Sequence, residues 1–276
     1  EELAAHRVQL RAAVQRAADY LFSQQQPDGS WPLQRQVADG LDDGGAGTPG
    51  DEGYAMIPHQ VSFPLRGLAA CGYAEDERCE KAYEWLLAQR LADGAWPTGL
   101  ARSGVYGYVA GYRRLAHSRW GCRSNTTHAL ACLAQHPQRR GSPEARRALD
   151  LLLGRETRER QALGFEAARL AGAERARGFT TIFSRFDLAF ILHLSWLTGA
   201  TCEDERVAEM VDFVREQRGP YGLWEYLPRP QASRWITLDL LRTLAGLEEA
   251  GQRPPDWVSQ EPRTPFQPYP KPKKRY

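Results

Sequence analysis

Acid–base side chains occur near the starts of several apolar helical segments. Asp187 and Asp239 lie in apolar segments with helical spacing, and His128 follows Asn125 at the start of another such segment. A carboxyl group in an apolar pocket has a perturbed pKa, which is a property expected of a general acid or base. The sequence therefore predicts Asp187, Asp239 and His128 as candidate catalytic residues.

Aromatic and polar residues at the same helix starts form a second group of candidates. Aromatic rings stabilise cations through their quadrupoles, so such a mixture could hold a carbocation beside an acid or base. We predict the following substrate-binding residues: His59, Phe63, Trp120, Asn125, Arg185, Phe186 and Trp235.

Structural explanations stay open for the same residues. Each aspartate could pair with a neighbouring arginine, and His128 could belong to a helix cap. Cys122 and His128 could begin a thiolate or zinc site, but no second Cys or His lies near them in the sequence. We therefore predict no metal and no cofactor. Motifs of serine hydrolases, dinucleotide-binding proteins and zinc proteases are missing from the sequence.

A repeated signature indicates how these residues are positioned. Three times, a helical segment leads to a glutamine and then to glycine, any residue and tryptophan. The glutamines lie 64 residues apart (89 − 25) and then 128 apart (217 − 89), and 75–78 recurs letter for letter as 203–206. Such self-similarity predicts stacked supersecondary units. The three copies are Gln25…Gly29-Ser30-Trp31, Gln89…Gly94-Ala95-Trp96 and Gln217…Gly222-Leu223-Trp224.

Apolar residues at three- and four-residue steps predict a chain of helices with little or no sheet. One member of each helix pair is apolar, and its partner is charged on one side. The pattern predicts an all-α protein, an α/α toroid over residues 1–251 with long irregular loops and a Pro-rich basic tail over 252–276. The predicted helices are 3–25, 61–72, 75–90, 125–135, 142–155, 183–198, 203–217 and 233–250.

Composition excludes several classes of protein. The formal net charge of +2 gives no bulk electrostatic support for nucleic-acid binding. No stretch has the roughly 20 apolar residues of a membrane span, so we expect no transmembrane segment and a cytoplasmic protein, with peripheral membrane contact left open. Five scattered cysteines favour reduced thiols over a disulfide framework. The oligomeric state is left open.

The repeated signature resembles the QW motif of squalene–hopene cyclases, oxidosqualene cyclases and the related prenyltransferase and squalene-oxidase repeat proteins. The resemblance extends over about residues 5–250. Segment 233–242, and Gly121-Cys122 with His128, also resemble stand-alone bacterial squalene-cyclase-like proteins. The resemblance implies a toroid in which each glutamine caps a helix end and stacks on the tryptophan.

The sequence departs from this family at its catalytic motifs. The Asp-x-Asp-Asp string of class II cyclases is missing, and its nearest counterpart, 39–43, is one residue too long. The Asp-x-Cys zinc motif of prenyltransferases is missing because Trp120-Gly121 precedes Cys122. We expect a terpene-cyclase-like enzyme or binder for a hydrophobic isoprenoid-like molecule. The alternatives are a non-catalytic domain that binds a peptide or protein, and a carbohydrate-active lyase or hydrolase.

Overall fold

A computed structural model describes residues 2–31, 33–34, 54–55, 58–97, 115, 118, 120–154, 163–173 and 187–250. These residues are mostly helical, which confirms the all-α class. A two-residue antiparallel ribbon, β1 (Leu33–Gln34) with β2 (Tyr54–Ala55), is the only sheet in them. The helices are α1 (Glu2–Ser23), α2 (Pro58–Leu68), α3 (Glu77–Ala88), α4 (Arg123–Gln135), α5 (Pro143–Leu153), α6 (Phe165–Leu170), α7 (Leu188–Leu197), α8 (Glu205–Glu216) and α9 (Ser233–Ala250).

Four helices form a central layer in the order α2, α4, α7 and α9. Helices α3, α5 and α8 pack against α2, α4 and α7 respectively, and α6 packs against α9. The hydrophobic pattern explains the two layers, because α4 and α7 are buried on nearly every side. By contrast, α8 buries one stripe that includes Val207, Val211 and Val214. The predicted pairing of an apolar helix with a one-sided helix is therefore confirmed for α4 with α5 and for α7 with α8, whereas α2 and α9 each expose part of their apolar surface.

Helix α1 departs from its predicted packing. Its apolar spacing predicts a buried face along its length, yet Leu10 is 65% exposed and Val14 is 37% exposed. Ala18 is buried, and Leu21 and Phe22 pack against the core from the last turns of the helix. Of the part of α1 whose side chains are described, only the C-terminal end joins the core.

The start of α7 also differs from the prediction. The sequence predicted a helix from residue 183, but α7 begins at Leu188 because Asp187 is its N-cap, with extended backbone angles. Residues 183–186 lie outside the described part of the chain. The helix predicted from residue 125 begins earlier, at Arg123. The predicted Ser142 cap of α5 is confirmed, since its hydroxyl accepts from the amide of Ala145 at 3.3 Å.

Three matching turns follow α1, α3 and α8, and we call them the tryptophan turns. In each turn the indole Nε1–H donates to the carbonyl of the residue ten positions earlier, in the last turn of the preceding helix. This bond fastens the chain to the helix end, where the same carbonyl also accepts from the amide three residues later. The bonds are Trp31 to Leu21 at 2.7 Å, Trp96 to Leu86 at 2.7 Å and Trp224 to Val214 at 2.6 Å.

The backbone of the tryptophan turns is also the same three times. The residue five positions before each tryptophan donates its amide to the carbonyl just before the tryptophan, at 2.8 to 2.9 Å. The glycine two positions before the tryptophan has a positive φ, which favours glycine over residues with a Cβ. These angles are 91° at Gly29, 98° at Gly94 and 76° at Gly222.

The structure corrects the register of the repeat. Gln89 and Gln217 are the C-caps of α3 and α8 and lie seven residues before their tryptophans. Gln24, and not Gln25, is the matching residue after α1, so the first interval is 65 residues (96 − 31). Gln25 lies six residues before Trp31 and donates from Nε2 to the carbonyl of Gly29 at 2.9 Å.

Arginines replace that glutamine in the other two turns. Arg90 and Arg218 lie six residues before their tryptophans and donate from Nε to Gly94 at 3.4 Å and to Gly222 at 2.8 Å. A long side chain with an N–H donor is therefore the shared property of this position.

Two predictions about the whole chain can be compared with the structure. All five cysteines are free thiols, and three of them (Cys79, Cys122 and Cys132) are buried, while Cys71 is exposed and Cys202 is half-buried. Among the described helices, none is both long enough and apolar enough to cross a lipid bilayer. The predicted tail, 252–276, lies outside the described residues.

Candidate functional site

Two histidines on neighbouring central helices lie in contact. The ring centroids of His59 on α2 and His128 on α4 are 4.7 Å apart at 84°, and Phe63 lies 6.3 Å from His59. Nδ1 of His128 is 2.7 Å from the carbonyl of Ser124, so Nδ1 carries the proton and Nε2 carries the lone pair. Burial lowers the pKa of His59 to about 2 and that of His128 to about 4. Both rings are therefore neutral at pH 7.

Asp187 is a buried anchor for two helix starts. Its Oδ1 accepts from the amides of Gly164 at 2.7 Å and Ala189 at 3.2 Å, and its Oδ2 accepts from the amide of Glu166 at 2.7 Å. Burial raises the pKa of Asp187 to about 7, while these amides act in the opposite direction. Because both oxygens already accept backbone hydrogen bonds, the geometry favours a structural role. The catalytic role predicted for Asp187 stays a prediction that the proposal below does not use.

Glu166, which Asp187 positions, binds two arginines from different helices. Its Oε1 is 2.5 Å from Nη1 of Arg66 on α2 and 2.6 Å from Nη2 of Arg169, and its Oε2 is 3.0 Å from Nε of Arg169. We call Arg66, Glu166 and Arg169 the central charged cluster. Burial alone would raise the pKa of Glu166, but the hydrogen bonds and charges of both arginines lower it to about 2. Glu166 is therefore ionised under ordinary conditions.

Asp239 lies on a face of α9 that carries an aromatic ring and a cation. Trp235, Asp239 and Arg242 follow the spacing i, i+4, i+7, which places them on one side of the helix. Burial raises the pKa of Asp239, Arg242 opposes this, and the charge of Glu166 adds to it. Among the described residues, the carboxyl group of Asp239 makes no hydrogen bond and no ion pair within 4 Å. The predicted pairing of Asp239 with Arg234 or Arg242 is therefore not formed.

A third histidine lies in the field of the same arginines. Burial lowers the pKa of His193 on α7 to about 4, and the charges of Arg66 and Arg242 add to this effect. Arg66 and Arg169 also oppose protonation of His128. Burial is thus the main reason that both imidazoles are neutral, and the arginine charges add to it, although the charge of Glu166 acts in the opposite direction on His128.

The structure separates the predicted site residues into groups. His59, Phe63 and His128 lie together, and Asp239 lies on the same face as Trp235, which is 46% exposed. Four predicted substrate-binding residues remain. Asn125 is buried and donates from Nδ2 to the carbonyl of Pro97 at 2.8 Å, Trp120 is half-buried, and Arg185 and Phe186 lie outside the described residues.

Four residues of the site were missed by the sequence analysis. These are Arg66, Glu166, Arg169 and His193. Arg66 stands alone in an otherwise apolar, small-residue stretch of α2, which is a signal that could have identified it. Nothing in the sequence connects it to Glu166, which lies 100 residues further along the chain.

Comparisons with known proteins found no family model, no curated protein and no solved structure that matches this chain. Within the described ranges, no group of three or more His, Cys, Asp or Glu residues could hold a metal ion. The structure thus defines an all-α protein of paired helices with a charged cluster that joins α2 to α6. The resemblance to squalene-cyclase-like proteins stays a prediction.

Proposed function

We propose that this protein is terpene-cyclase-like and binds a hydrophobic, isoprenoid-like molecule between its central helices. In this proposal α2, α4, α7 and α9 form the inner layer of an α/α toroid, and α3, α5 and α8 belong to the outer layer. The order of the helix pairs and the three tryptophan turns support this arrangement.

The face of α9 with Trp235 and Asp239 carries the functional part of the proposal. A half-buried carboxyl group with a raised pKa and no hydrogen-bond partner among the described residues is suited to give its proton to an alkene carbon. A new C–H bond forms and the adjacent carbon becomes a carbocation. The ring of Trp235, one helical turn from Asp239, would stabilise that cation.

His128 is suited to the step that ends such a reaction. Its Nε2 carries a lone pair, and its Nδ1 is held by the carbonyl of Ser124. Loss of a proton from the carbocation to Nε2 would form an alkene. Phe63 lies near the histidine pair, where its partly exposed ring would contact the apolar chain of the ligand.

The experiment combines ligand identification with a matched pair of variants. Mass spectrometry identifies small molecules that copurify with the protein, and turnover of squalene, farnesol and farnesyl diphosphate is followed by gas chromatography with mass detection. We expect Asp239→Asn to lower turnover at least about 100-fold. Asp212→Asn, at an exposed position of α8, should leave turnover unchanged.

Two results would reject the proposal. One is that no isoprenoid copurifies, binds or is converted by the unmodified protein. The other is that Asp239→Asn keeps full turnover while both variants have the melting temperature of the parent.

A non-catalytic interaction domain is the second candidate. Leu238 and Leu241 of α9 are 50% and 43% exposed, which favours contact with a protein or peptide. A binder of this kind would retain its partner in Asp239→Asn and lose it in Leu238→Ser. A ligand-free protein with that pattern would support this candidate over the enzyme.

A further inference from the structure

The arginines of the central charged cluster have donors that Glu166 does not use. A guanidinium group has five N–H donors. Arg66 reaches Glu166 through Nη1, and Arg169 reaches it through Nε and Nη2. No hydrogen bond joins Nε or Nη2 of Arg66, or Nη1 of Arg169, to another described residue.

The cluster is also held firmly in place. The side chains of Arg66 and Arg169 are only 18% and 15% exposed, and that of Glu166 is 4% exposed. The guanidinium of Arg66 lies 4.7 Å from the ring centroid of Phe190 on α7. Because ring, carboxylate and helix packing fix the arginines, little conformational entropy remains to be lost when a ligand binds them.

A third arginine, Arg242 on α9, acts on a group that the cluster also affects, because its charge and that of Arg66 both lower the pKa of His193. Helix α6, which carries Glu166 and Arg169, packs against α9, and a Cβ on Gly164 would lie 2.5 Å from a side-chain carbon of Ile236. Arg242 lies on the same face of α9 as Asp239 and is exposed, and it makes no hydrogen bond or ion pair with another described residue. Within the cluster, two arginines share the single carboxylate of Glu166, which leaves an excess of positive charge that Arg242 increases.

We infer that the central charged cluster and Arg242 bind an anionic oxygen group, phosphate or carboxylate, at the head of the ligand. The planar donors of arginine fit both groups. The inference rests on the proposed function for the apolar remainder of the ligand, which would lie against Phe63 and Trp235.

The test uses three ligands that share one apolar chain: farnesol, farnesoic acid and farnesyl diphosphate. Isothermal titration calorimetry measures each Kd, and inorganic pyrophosphate alone is titrated in parallel. We expect at least one anionic ligand to bind about tenfold more tightly than farnesol. A preference for the diphosphate or for the acid tells which head group the site is built for.

The variants are Arg66→Gln and Arg242→Gln, with Arg11→Gln as the charge-matched control on the exposed part of α1. In Arg66→Gln, Glu166 keeps its two contacts with Arg169, so the fold should persist. If that variant does not fold, Arg242→Gln decides the question because Arg242 makes no contact that the fold requires. Each cluster variant should remove the preference for the anionic ligand, and Arg11→Gln should retain it.

The outcomes separate the inference from the proposed function. Equal binding of all three ligands, or equal loss in Arg11→Gln, would overturn the anion site and leave isoprenoid binding intact. Binding of pyrophosphate that depends on Arg66, without binding of farnesol or either derivative, would support the anion site and reject the isoprenoid.

Discussion

The tryptophan turns and the central charged cluster bury polar groups in opposite ways. Each turn pairs an indole N–H with a carbonyl ten residues earlier, and the arrangement occurs three times. The cluster joins residues 100 positions apart and occurs once among the described residues. The turns leave no indole N–H without a partner, whereas Arg66 and Arg169 keep unused donors.

This difference separates structure from function in a repeat protein. A polar contact that recurs in every unit solves a problem that every unit has, which is how to end a helix and start the next turn. A contact that occurs once and leaves N–H donors unused has no counterpart in the other units, so we attribute it to ligand binding. We therefore expect variants of the turns to change stability, and variants of the cluster to change ligand binding and pH dependence.

Gly29→Ala should have the largest effect on stability. A Cβ at residue 29 would lie 2.5 Å from the backbone of Lys81 on α3, and its positive φ is unfavourable for alanine. We expect a loss of about 3–5 kcal/mol in the free energy of unfolding. Gly222→Ala is the control, since its Cβ would meet only the end of the Arg218 side chain, and about 1–2 kcal/mol is expected. Urea unfolding measures both, and equal losses would contradict the close packing of the first turn on α3.

Asp187→Asn tests the support of the cluster and should have the next largest effect. In this variant an amide nitrogen replaces one carboxylate oxygen. That nitrogen would face a backbone N–H that now donates to the oxygen of Asp187. We expect a loss of about 2–4 kcal/mol. Asp76→Asn, at the half-buried N-cap of α3, is the matched control and should lose less than about 1 kcal/mol. A fully stable Asp187→Asn protein without turnover would instead restore the catalytic role predicted from the sequence.

The sequence was sufficient for the repeated part of the fold because the interacting residues are near in the chain. Indole and carbonyl are ten residues apart, and glycine stands at a fixed position between them. However, aligning Gln25 with Gln89 and Gln217 placed the first repeat unit one residue out of register. The conserved physical requirement is a long N–H donor six residues before the tryptophan, which Gln25, Arg90 and Arg218 all meet.

The candidate site could be predicted only in part. His59, His128 and Asp239 were identified as polar residues near the starts of apolar helical segments. Asp187 was placed inside a helix, although an aspartate directly before an apolar run is also an N-cap signature. Arg66 and Glu166 could not be paired, since contact over 100 residues depends on how the helices stack and leaves no spacing in the sequence.

The ion pairs of Glu166 should make stability depend on pH in the acid range. The pKa of Glu166 falls from an ordinary value of 4.5 to about 2 in the folded protein. Its contribution is therefore complete above pH 4.5 and is lost as the pH falls towards 2, on the order of 3 kcal/mol. Asp187 acts in the opposite sense, because its raised pKa favours the folded state at low pH and the benefit fades as the pH rises towards 7.

Glu166→Gln separates the two effects. The difference in unfolding free energy between Glu166→Gln and the parent, measured by urea unfolding from pH 2 to 7, should shrink as the pH falls below 4.5. Asp187 is present in both proteins, so its contribution cancels to first order. A difference that stays constant over this range would show that Glu166 is not stabilised as an anion by Arg66 and Arg169.

Trp224→Phe should give the smallest of these effects on stability. It also tests most directly the contrast between the tryptophan turns and the proposed ligand site. Phenylalanine keeps most of the buried ring and removes the N–H that donates to Val214, so about 1–2 kcal/mol should be lost. Trp235→Phe, at a partly exposed ring of α9, should change stability by less than about 0.5 kcal/mol. When ligand binding is measured, Trp235→Phe should weaken it more than Trp224→Phe does, because only Trp235 faces the proposed ligand. If Trp224→Phe weakened binding more than Trp235→Phe did, the division between repeated structural turns and a single functional cluster would be wrong.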